Sequence, residues 1–198
     1  MSWLLIVVIV VVVLIALWAV LLYNGLVQKR NRVDNAWAQV EVQLKRRHDL
    51  VPNLVETVKG YAAHERGTFD SVTQARAAAT SAQGPAQAGA AEGILGQALG
   101  RLFAVAEAYP DLKANQNFLD LQGQLRDTED KIAISRQVYN DTVLTFNNAI
   151  QVFPALLLAG ALGFSKREFF EIDDAAERDA PQVSFTPPAA PTGEAPSA

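Results

Sequence analysis

The first pattern along the chain is an unbroken apolar run from Trp3 to Leu22, twenty uncharged and almost wholly aliphatic residues. Twenty helical residues extend ~30 Å, the thickness of the hydrocarbon core of a bilayer. A cleaved signal peptide would have a charged start, a shorter apolar stretch and small residues at a cleavage site. None of these features is present, because the run is long and leads into Leu21, Leu22 and Tyr23. The pattern predicts a retained transmembrane helix within residues 1–23.

Beyond the run, apolar residues recur at spacings of three and four as far as about Ala82, which predicts one long helix with an apolar stripe. Its members, with a gap near His48, are Val33, Trp37, Val40, Leu44, Val51, Leu54, Val55, Val58, Tyr61, Phe69 and Val72. Pro52 lies inside this helix, where a proline removes one hydrogen bond and crowds the carbonyl of His48. No capping residue directly precedes Pro52, so the sequence favours a kink within one helix over a break.

A change of composition follows. Residues 80–100 contain five of the twelve glycines together with Pro85, which predicts a loose connection and then a short helix from about Ala91 to Ala108. A turn is expected at Pro110. A second long helix is predicted from about Leu112 to Phe153, because its apolar residues keep a heptad spacing. The members of this seam are Phe118, Leu121, Leu125, Thr128, Ile132, Ser135, Tyr139, Val143, Phe146, Ile150 and Phe153.

The predicted fold is all-α: one N-terminal transmembrane helix followed, over residues 24–170, by an elongated antiparallel bundle of long helices. Pro154 precedes the apolar segment ALLLAGALGF, which is about half the length needed to span a bilayer. Two interpretations stay open for residues 154–164, a packed terminal helix or an interfacial membrane contact. Residues 171–198 are acidic and then rich in proline and alanine, and we expect them to form a disordered tail.

Charge is informative through its distribution. The net charge of −4 gives no reason to expect a nucleic-acid partner, and the absence of cysteine excludes disulfides and thiolate metal sites. Residues 29–66 hold eight basic and five acidic side chains, whereas residues 107–141 hold four basic and seven acidic ones. This complementarity favours packing of the two long helices, although two separately solvated faces remain an alternative. Lys29, Arg30 and Arg32 follow the apolar run, so the positive-inside rule predicts an external N-terminus and a cytoplasmic helical domain.

Two clusters of charged residues are candidate sites. Lys45, Arg46 and Arg47 form the densest basic patch and are a candidate interaction face for acidic partners or lipid headgroups. The alternative is a solvated face that contacts an acidic helix of the same chain. Glu129 and Arg136, one heptad apart, are a candidate buried polar layer with Arg76 or Glu56 from the first helix.

The search for chemistry gives negative results. The only histidines, His48 and His64, are not in a zinc-binding spacing, and no nucleophile or phosphate-binding motif occurs. We therefore predict no catalytic residues, no metal and no cofactor.

Four segments of the chain are distinctive: YNGLVQKRNRVDNAWAQVEVQLKRRHDLVPNLVETVKGYAAHE from Tyr23 to Glu65, AEAYPDLKANQNFLDLQGQL from Ala106 to Leu125, TEDKIAISRQVYND from Thr128 to Asp141, and FNNAIQVFP. These segments resemble the LemA family. The resemblance covers about residues 1–170. It implies one membrane helix, an external N-terminus and an elongated antiparallel helical bundle in the cytoplasm. It implies no reaction, since the family carries no accepted catalytic residues; some relatives are linked to organising bacterial membranes.

These observations lead to a functional hypothesis. The chain would be a non-enzymatic scaffold, anchored in the bacterial inner membrane as a single-pass protein that contacts lipid through residues 3–22. It would form a homo-oligomer or organise membrane-protein partners. The alternative is an adaptor or regulator of a membrane enzyme such as a protease.

Overall fold

The computed structural model of the chain describes residues 2–172, and within them it contains helices and no strand. The all-α prediction is therefore confirmed. The helices are α1 Ser2–Lys59, α2 Arg66–Ser81, α3 Gly84–Glu107, α4 Pro110–Lys113, α5 Gln116–Gln151 and α6 Leu156–Ala159. At ~1.5 Å per residue, the 58 residues of α1 extend about 87 Å.

The bundle is organised around the antiparallel pair α1 and α5. Trp37 stacks on Tyr139 with ring centroids 5.2 Å apart, and ten residues further along α1 Arg47 pairs with Glu129, ten residues earlier in α5. Helices α2 and α3 form a hairpin beside this pair. The elongated antiparallel arrangement expected from the two apolar seams is therefore observed.

The apolar interior is divided into two cores. The proximal core, nearer the apolar run, contains Leu26, Val33, Val40, Leu44, Ile132, Tyr139, Val143, Phe146 and Ile150 among its buried residues. The distal core contains Val51, Leu54, Val58, Phe69, Val72, Leu95, Leu99, Leu102, Phe118 and Leu125. Both seams predicted from the sequence thus face the interior, except that Tyr61 of the first seam is 41% exposed and Phe153, the last member of the second seam, is 79% exposed.

The predicted helix from residue 24 to 82 is wrong in its second part. α1 ends at Lys59, a turn occupies residues 60–65, and α2 begins at Arg66. Gly60, the weakest helix former in this stretch after Pro52, begins the turn, and the amides of Tyr61 and Ala62 both bond to Val58 O. The apolar spacing continues across the turn because α2 packs on the same distal core. Pro52, by contrast, lies within the unbroken α1.

Two further boundaries differ from the prediction. The glycine-rich stretch expected as a loose connection is helical from Gly84, which has a φ of +75° and is followed by Pro85 in the first turn of α3. The second long helix begins at Gln116 rather than Leu112. The side chain of Asn115 caps it by accepting a hydrogen bond from the amide of Phe118 at 3.1 Å.

The chain after α6 packs against the bundle as a strap, residues 164–172. Asn147 and Asn140 each bond both backbone polar groups of one strap residue: Asn147 those of Arg167 at 2.8 and 2.9 Å, and Asn140 those of Phe170 at 3.0 and 3.1 Å. Seven helical residues rise ~10.5 Å and three extended residues span ~10 Å, so the two spacings match.

Tyr139 adds a third polar link to the strap, since its hydroxyl donates to Glu168 O at 2.8 Å. Burial raises the pKa of Tyr139 to about 12, so the hydroxyl stays protonated and remains a donor. The strap continues to Ile172, which is half-buried against the proximal core. The disordered tail was predicted from residue 171; Glu171 is exposed, Ile172 is half-buried, and residues 173–198 lie outside the described part of the chain.

Candidate functional site

A polar layer separates the two cores midway along the bundle. Its buried members are Arg47 and His48 of α1, Glu92 of α3 and Thr128 of α5, and the half-buried Glu129 closes its edge. On each helix the layer falls between a residue of the proximal core and one of the distal core. The gap near His48 in the apolar stripe and the polar Thr128 in the second seam were the sequence signals for this layer.

Arg47 is the centre of the layer. Its Nη1 is 2.8 Å from Oε2 of Glu92, and its Nη2 is 2.8 Å from Oε1 of Glu129. The guanidinium thus joins all three long elements, α1, α3 and α5, with its two terminal nitrogens. Breaking a buried pair of this kind is strongly destabilising, because the remaining charge is left without compensation.

Glu92 is the most deeply buried carboxylate of the layer, with its side chain 1% exposed. Its second oxygen, Oε1, lies 2.5 Å from Nε2 of His48. The backbone carbonyl of His48 in turn accepts a hydrogen bond from Nε of Arg76 at 2.7 Å, which ties α2 to the same layer. Sequence reasoning missed Glu92, because it falls at the start of the short helix predicted from about Ala91, in which no residue was assigned to a buried polar position.

Glu129 has a different environment from Glu92. Desolvation raises the pKa of its carboxyl above the ordinary value, Glu92 and Asp130 act in the same direction, and Arg47 opposes them. Desolvation therefore has a larger effect on the pKa of Glu129 than the ion pair with Arg47 has. Its predicted partners do not contact it: Glu56 pairs with Lys59 on the surface of α1, and Arg76 bonds the backbone of His48.

Arg136, the other residue of the predicted layer, lies in a groove of about 780 Å³ between α3 and α5. No ion pair within residues 2–172 involves Arg136. The α3 wall of the groove is low because it carries glycines, and the α5 wall is charged. The residues that line these two walls include Gly93, Gly96, Gly100, Arg126, Asp130 and Arg136.

The predicted basic face does not form as one surface. Lys45 and Arg46 are exposed, whereas the Arg47 side chain is only 4% exposed. The reason is helical periodicity: Arg47 follows Leu44 by three residues and so falls on the buried stripe. Arg46 also lies 3.9 Å from Asp127 of α5, so the basic first helix faces the acidic second helix, as the charge distribution favoured.

The charged groups of the layer, Arg47, His48, Glu92 and Glu129, bond one another across helices, whereas the hydroxyl of Thr128 donates to Gln124 O of its own helix. Within residues 2–172, histidine, aspartate and glutamate form no group that could hold a metal ion. What the arrangement does chemically is to place complementary charges at one level of the bundle. A buried polar layer of this kind fixes helix register, since a shifted helix would leave a charge unpaired.

Comparison with known proteins identifies the family. Residues 36–185 match the sequence profile described as the LemA family, which is more than half of the chain. The chain belongs to the LemA family. The part of this LemA protein that matches contains the polar layer, the groove and the strap, and it begins within α1, after the apolar run.

Individual relatives agree with this assignment. The LemA chain is 29% identical to magnetosome protein MamQ of Magnetospirillum gryphiswaldense, over 75% of this chain and 64% of that protein. It is 28% identical to magnetosome protein MamQ 2 of Paramagnetospirillum magneticum, with the same coverage. It is 27% identical to protein LemA of Metamycoplasma hominis, over 66% of this chain and 60% of that one. The matches thus span just under two thirds of the length of these relatives.

Proposed function

We propose that this LemA protein is a non-enzymatic helical scaffold, anchored in the bacterial inner membrane through residues 3–22, that self-associates or organises partner proteins there. The observation that carries the proposal is the continuity of α1. One unbroken helix contains an apolar stretch long enough to cross a bilayer, none of it buried inside the protein, and one wall of both cores. A core helix of a soluble protein would be mostly buried.

Because α1 is continuous, the orientation of its membrane-spanning part would determine the orientation of the bundle. A single helix transmits its orientation from the bilayer to the bundle, so the bundle would stand on the membrane as a rod. The names of the relatives, magnetosome protein MamQ and LemA, indicate no reaction. A rod that presents charged faces at a fixed distance from a membrane is suited to assembly.

The proposed orientation places the bundle in the cytoplasm and the N-terminus outside. It rests on Lys29, Arg30 and Arg32, which follow the apolar run within about three helical turns. Reporters fused after Ala198 test it. A cytoplasmic reporter should be active and a periplasmic one inactive, and periplasmic activity would overturn the orientation and with it any cytoplasmic partner.

The surface proposed for assembly is the exposed pair Lys45 and Arg46. Arg47 is left out, because its reversal would place a third carboxylate beside Glu92 and Glu129. Each exposed ion pair contributes only ~0.2–1 kcal/mol, so the effect would depend on repetition over many subunits. The test is light scattering of full-length protein in detergent. The variant K45E/R46E should form smaller oligomers than the wild type at low salt.

A matched control reverses two other exposed bases. Lys59 and Lys113 are also half-exposed and paired with nearby glutamates, but they lie beyond the distal core, away from Lys45. K59E/K113E should assemble like the wild type, and the wild type itself should dissociate at high salt because exposed pairs are screened. If K45E/R46E assembles like K59E/K113E, this surface is merely solvated and the proposed interface is lost.

The second candidate function is an adaptor or regulator of a membrane enzyme such as a protease. The groove between α3 and α5 favours it, since a low glycine wall opposite Arg126, Asp130 and Arg136 leaves room for a polar segment of a partner. The same scattering experiment separates the two functions. A homogeneous large homo-oligomer supports the scaffold, and a monomer at all salt concentrations supports the adaptor.

A further inference from the structure

The segment from the end of α5 to the first residue of the strap exposes an unusual amount of apolar surface. Residues 152–164, VFPALLLAGALGF, contain no charged and no hydrogen-bonding side chain. Phe153 is 79% exposed and Leu157 is 70% exposed. The exposed large residues of this segment, called the apolar loop below, are Val152, Phe153, Leu156, Leu157 and Leu162.

Helix α6, within the apolar loop, buries small apolar side chains and exposes large ones, which is the opposite of the arrangement that is favoured in water. Its neighbour Ala155 and its last residue Ala159 are buried in the proximal core, whereas Leu156 and Leu157 face outward. For a protein surrounded by water, burying the larger apolar side chain is more favourable, because it removes more apolar surface from the solvent. A short helix that buries alanine and exposes leucine on its outer face is therefore suited to surroundings that are themselves apolar.

The apolar loop lies at the level where α1 leaves the apolar run. Phe164, at its end, has its ring 5.7 Å from the ring of Tyr23, the first residue after the run. Leu22, the last residue of the run, packs against the same proximal core. Since α5 is antiparallel to α1, its C-terminal end points toward the run, and the apolar loop continues from that end.

Basic side chains lie next to the apolar loop on the side of the bundle, and one of them, Arg167, pairs with Asp34 of α1 at 2.9 Å. The Arg30 guanidinium carbon lies 5.5 Å above the ring centre of Phe164, and the first charged residues after the loop are Lys166 and Arg167. Lys29 lies on the same stretch of α1. A basic collar next to an exposed apolar surface matches the order of layers in a membrane, with anionic headgroups outside the acyl chains.

We propose that the apolar loop inserts into the headgroup and acyl boundary of the same bilayer that α1 crosses, and so forms a second membrane contact. The inference rests on the proposed membrane anchor. A span and a second contact beside it together restrict the tilt and rotation of α1. The bundle would therefore present a defined face along the membrane rather than rotate about a single helix.

The chain offers a direct test, because it contains no cysteine and any single cysteine can be labelled alone. Full-length L157C, carrying an environment-sensitive NBD label, is reconstituted into vesicles of phosphatidylcholine and phosphatidylglycerol with doxyl-labelled lipids. Two further labelled variants accompany it. I134C reports a similarly exposed apolar position, 64% exposed, in the middle of α5, and V12C reports the centre of the apolar run.

The expected result is quenching of the L157C label at least about twice that of the I134C label, strongest with the doxyl group near the headgroup, since an interfacial segment lies ~5–10 Å into the boundary. The V12C label should be quenched most by a doxyl group deep in the acyl chain. Quenching at V12C without quenching at L157C overturns the second contact and leaves the anchor intact. An unquenched V12C label instead overturns the proposed function.

A second copy of the protein could also cover the apolar loop, and the same data identify this outcome. A label at L157C that is shifted to the blue but not quenched by doxyl lipids would be covered by protein, which overturns the proposal. A second variant adds a test by substitution. L156D/L157D with a label at L162C should lose the lipid quenching seen for L162C alone, while V12C quenching persists in the same background; unchanged L162C quenching contradicts the insertion.

Discussion

Arg76 donates a hydrogen bond from Nε to the carbonyl oxygen of His48 at 2.7 Å, and that carbonyl is the one that Pro52 leaves without its helical donor. A side chain of α2 therefore completes the hydrogen bonding of α1 where the proline interrupts it. The helix remains continuous from Ser2 to Lys59. The same contact fixes the α2–α3 hairpin at the level of the polar layer.

The first prediction concerns the hydrogen bond from Arg76, which takes the place of the backbone donor that Pro52 lacks. Arg76→Ala should lower the free energy of unfolding by about 1–3 kcal/mol, because a carbonyl away from water is left unsatisfied. In a Pro52→Ala background the backbone amide gained by the substitution can donate to the carbonyl of His48, so the same change should cost less. Urea unfolding of the four proteins measures the double-mutant cycle. An equal cost in both backgrounds would show that Arg76 and Pro52 are not coupled.

Helix content provides the companion measurement. Because α1 already continues through Pro52, Pro52→Ala should leave the far-ultraviolet circular dichroism nearly unchanged. A gain of several helical residues would mean that the proline breaks the helix in solution. Either outcome is informative for the first prediction, because only a continuous helix presents the His48 carbonyl in the required position.

The second prediction concerns Gly89, which lies in α3 directly under the strap. A Cβ at Gly89 would lie 2.1 Å from Glu171 O and 2.8 Å from Glu171 C, so backbone must move to admit it. Gly89→Ala should therefore detach the end of the strap. The amide of Phe170 should exchange its hydrogen faster, since its bond to Asn140 depends on the strap position.

Gly100 supplies the matched control in the same helix, since nothing lies within 4 Å of a Cβ built there. Gly100→Ala should stabilise the protein by roughly 0.5–1 kcal/mol, the ordinary gain in a helix interior. Gly89→Ala should change stability in the opposite direction. Two stabilising substitutions would mean that the strap does not press on α3.

Gly89 also shows why the sequence predicted the architecture better than its boundaries. The seams that face the two cores could be predicted, because Val33 or Ile132 is buried by periodicity alone. The glycines before about Ala91 indicated a loose connection because propensity is a local property. Their helix forms through packing on α2 and the cores, and Gly89 is required by a contact with Glu171, eighty-two residues away in the chain.

The polar layer was predictable only in part, for a similar reason. A gap in the apolar stripe at His48 and the polar Thr128 in the seam indicated the level of the layer on two helices. The partner Glu92 comes from a third helix whose position depends on the turn at Gly60. Arg47 was assigned to a basic surface because three adjacent bases look alike in sequence, although adjacent residues on a helix point in different directions.

The third prediction concerns the buried charges. Glu92→Gln should destabilise the bundle by about 3–5 kcal/mol, because Arg47 loses the fully buried member of its two ion pairs. The double variant R47M/E92Q should lose less than the sum of the single variants, since it leaves no unpaired guanidinium. Denaturant unfolding gives the coupling energy. Glu56→Gln, at an exposed pair with Lys59, is the control and should cost at most ~1 kcal/mol.

Strict additivity of Arg47→Met and Glu92→Gln would contradict this account of the layer. It would mean that the two side chains are solvated independently in solution. The register role of the layer has its own readout, since hydrogen exchange of the amides around Leu44 and Val51 should increase together when either charge is removed. A purely local effect would be confined to one core.

The last prediction concerns pH, and its sign follows from the environment of Glu129. Desolvation raises the pKa of this carboxyl in the folded protein, so between the ordinary glutamate pKa and the raised value the folded state binds more protons than the unfolded one. The contribution of Glu129 to the free energy of unfolding therefore falls as pH rises through that window. Glu129→Gln removes this titration, so the stability of the variant relative to the wild type should increase as pH rises above the ordinary glutamate pKa of about 4.

Asp127, two residues earlier in α5, is a control of opposite sign. A hydrogen bond from Lys131 lowers the pKa of its carboxyl, so the stabilisation it provides is present above the ordinary aspartate pKa and is lost as pH falls through the lowered value. Asp127→Asn should therefore lose stability relative to the wild type as pH rises toward about 4, and its relative stability should change little above that. Urea unfolding at a series of pH values that covers both windows checks the two trends. The stability of Glu129→Gln relative to the wild type could instead fall as pH rises, like that of Asp127→Asn. This result would show that Arg47 stabilises the Glu129 carboxylate more than burial destabilises it. The pKa of Glu129 would then be lowered rather than raised in the folded protein.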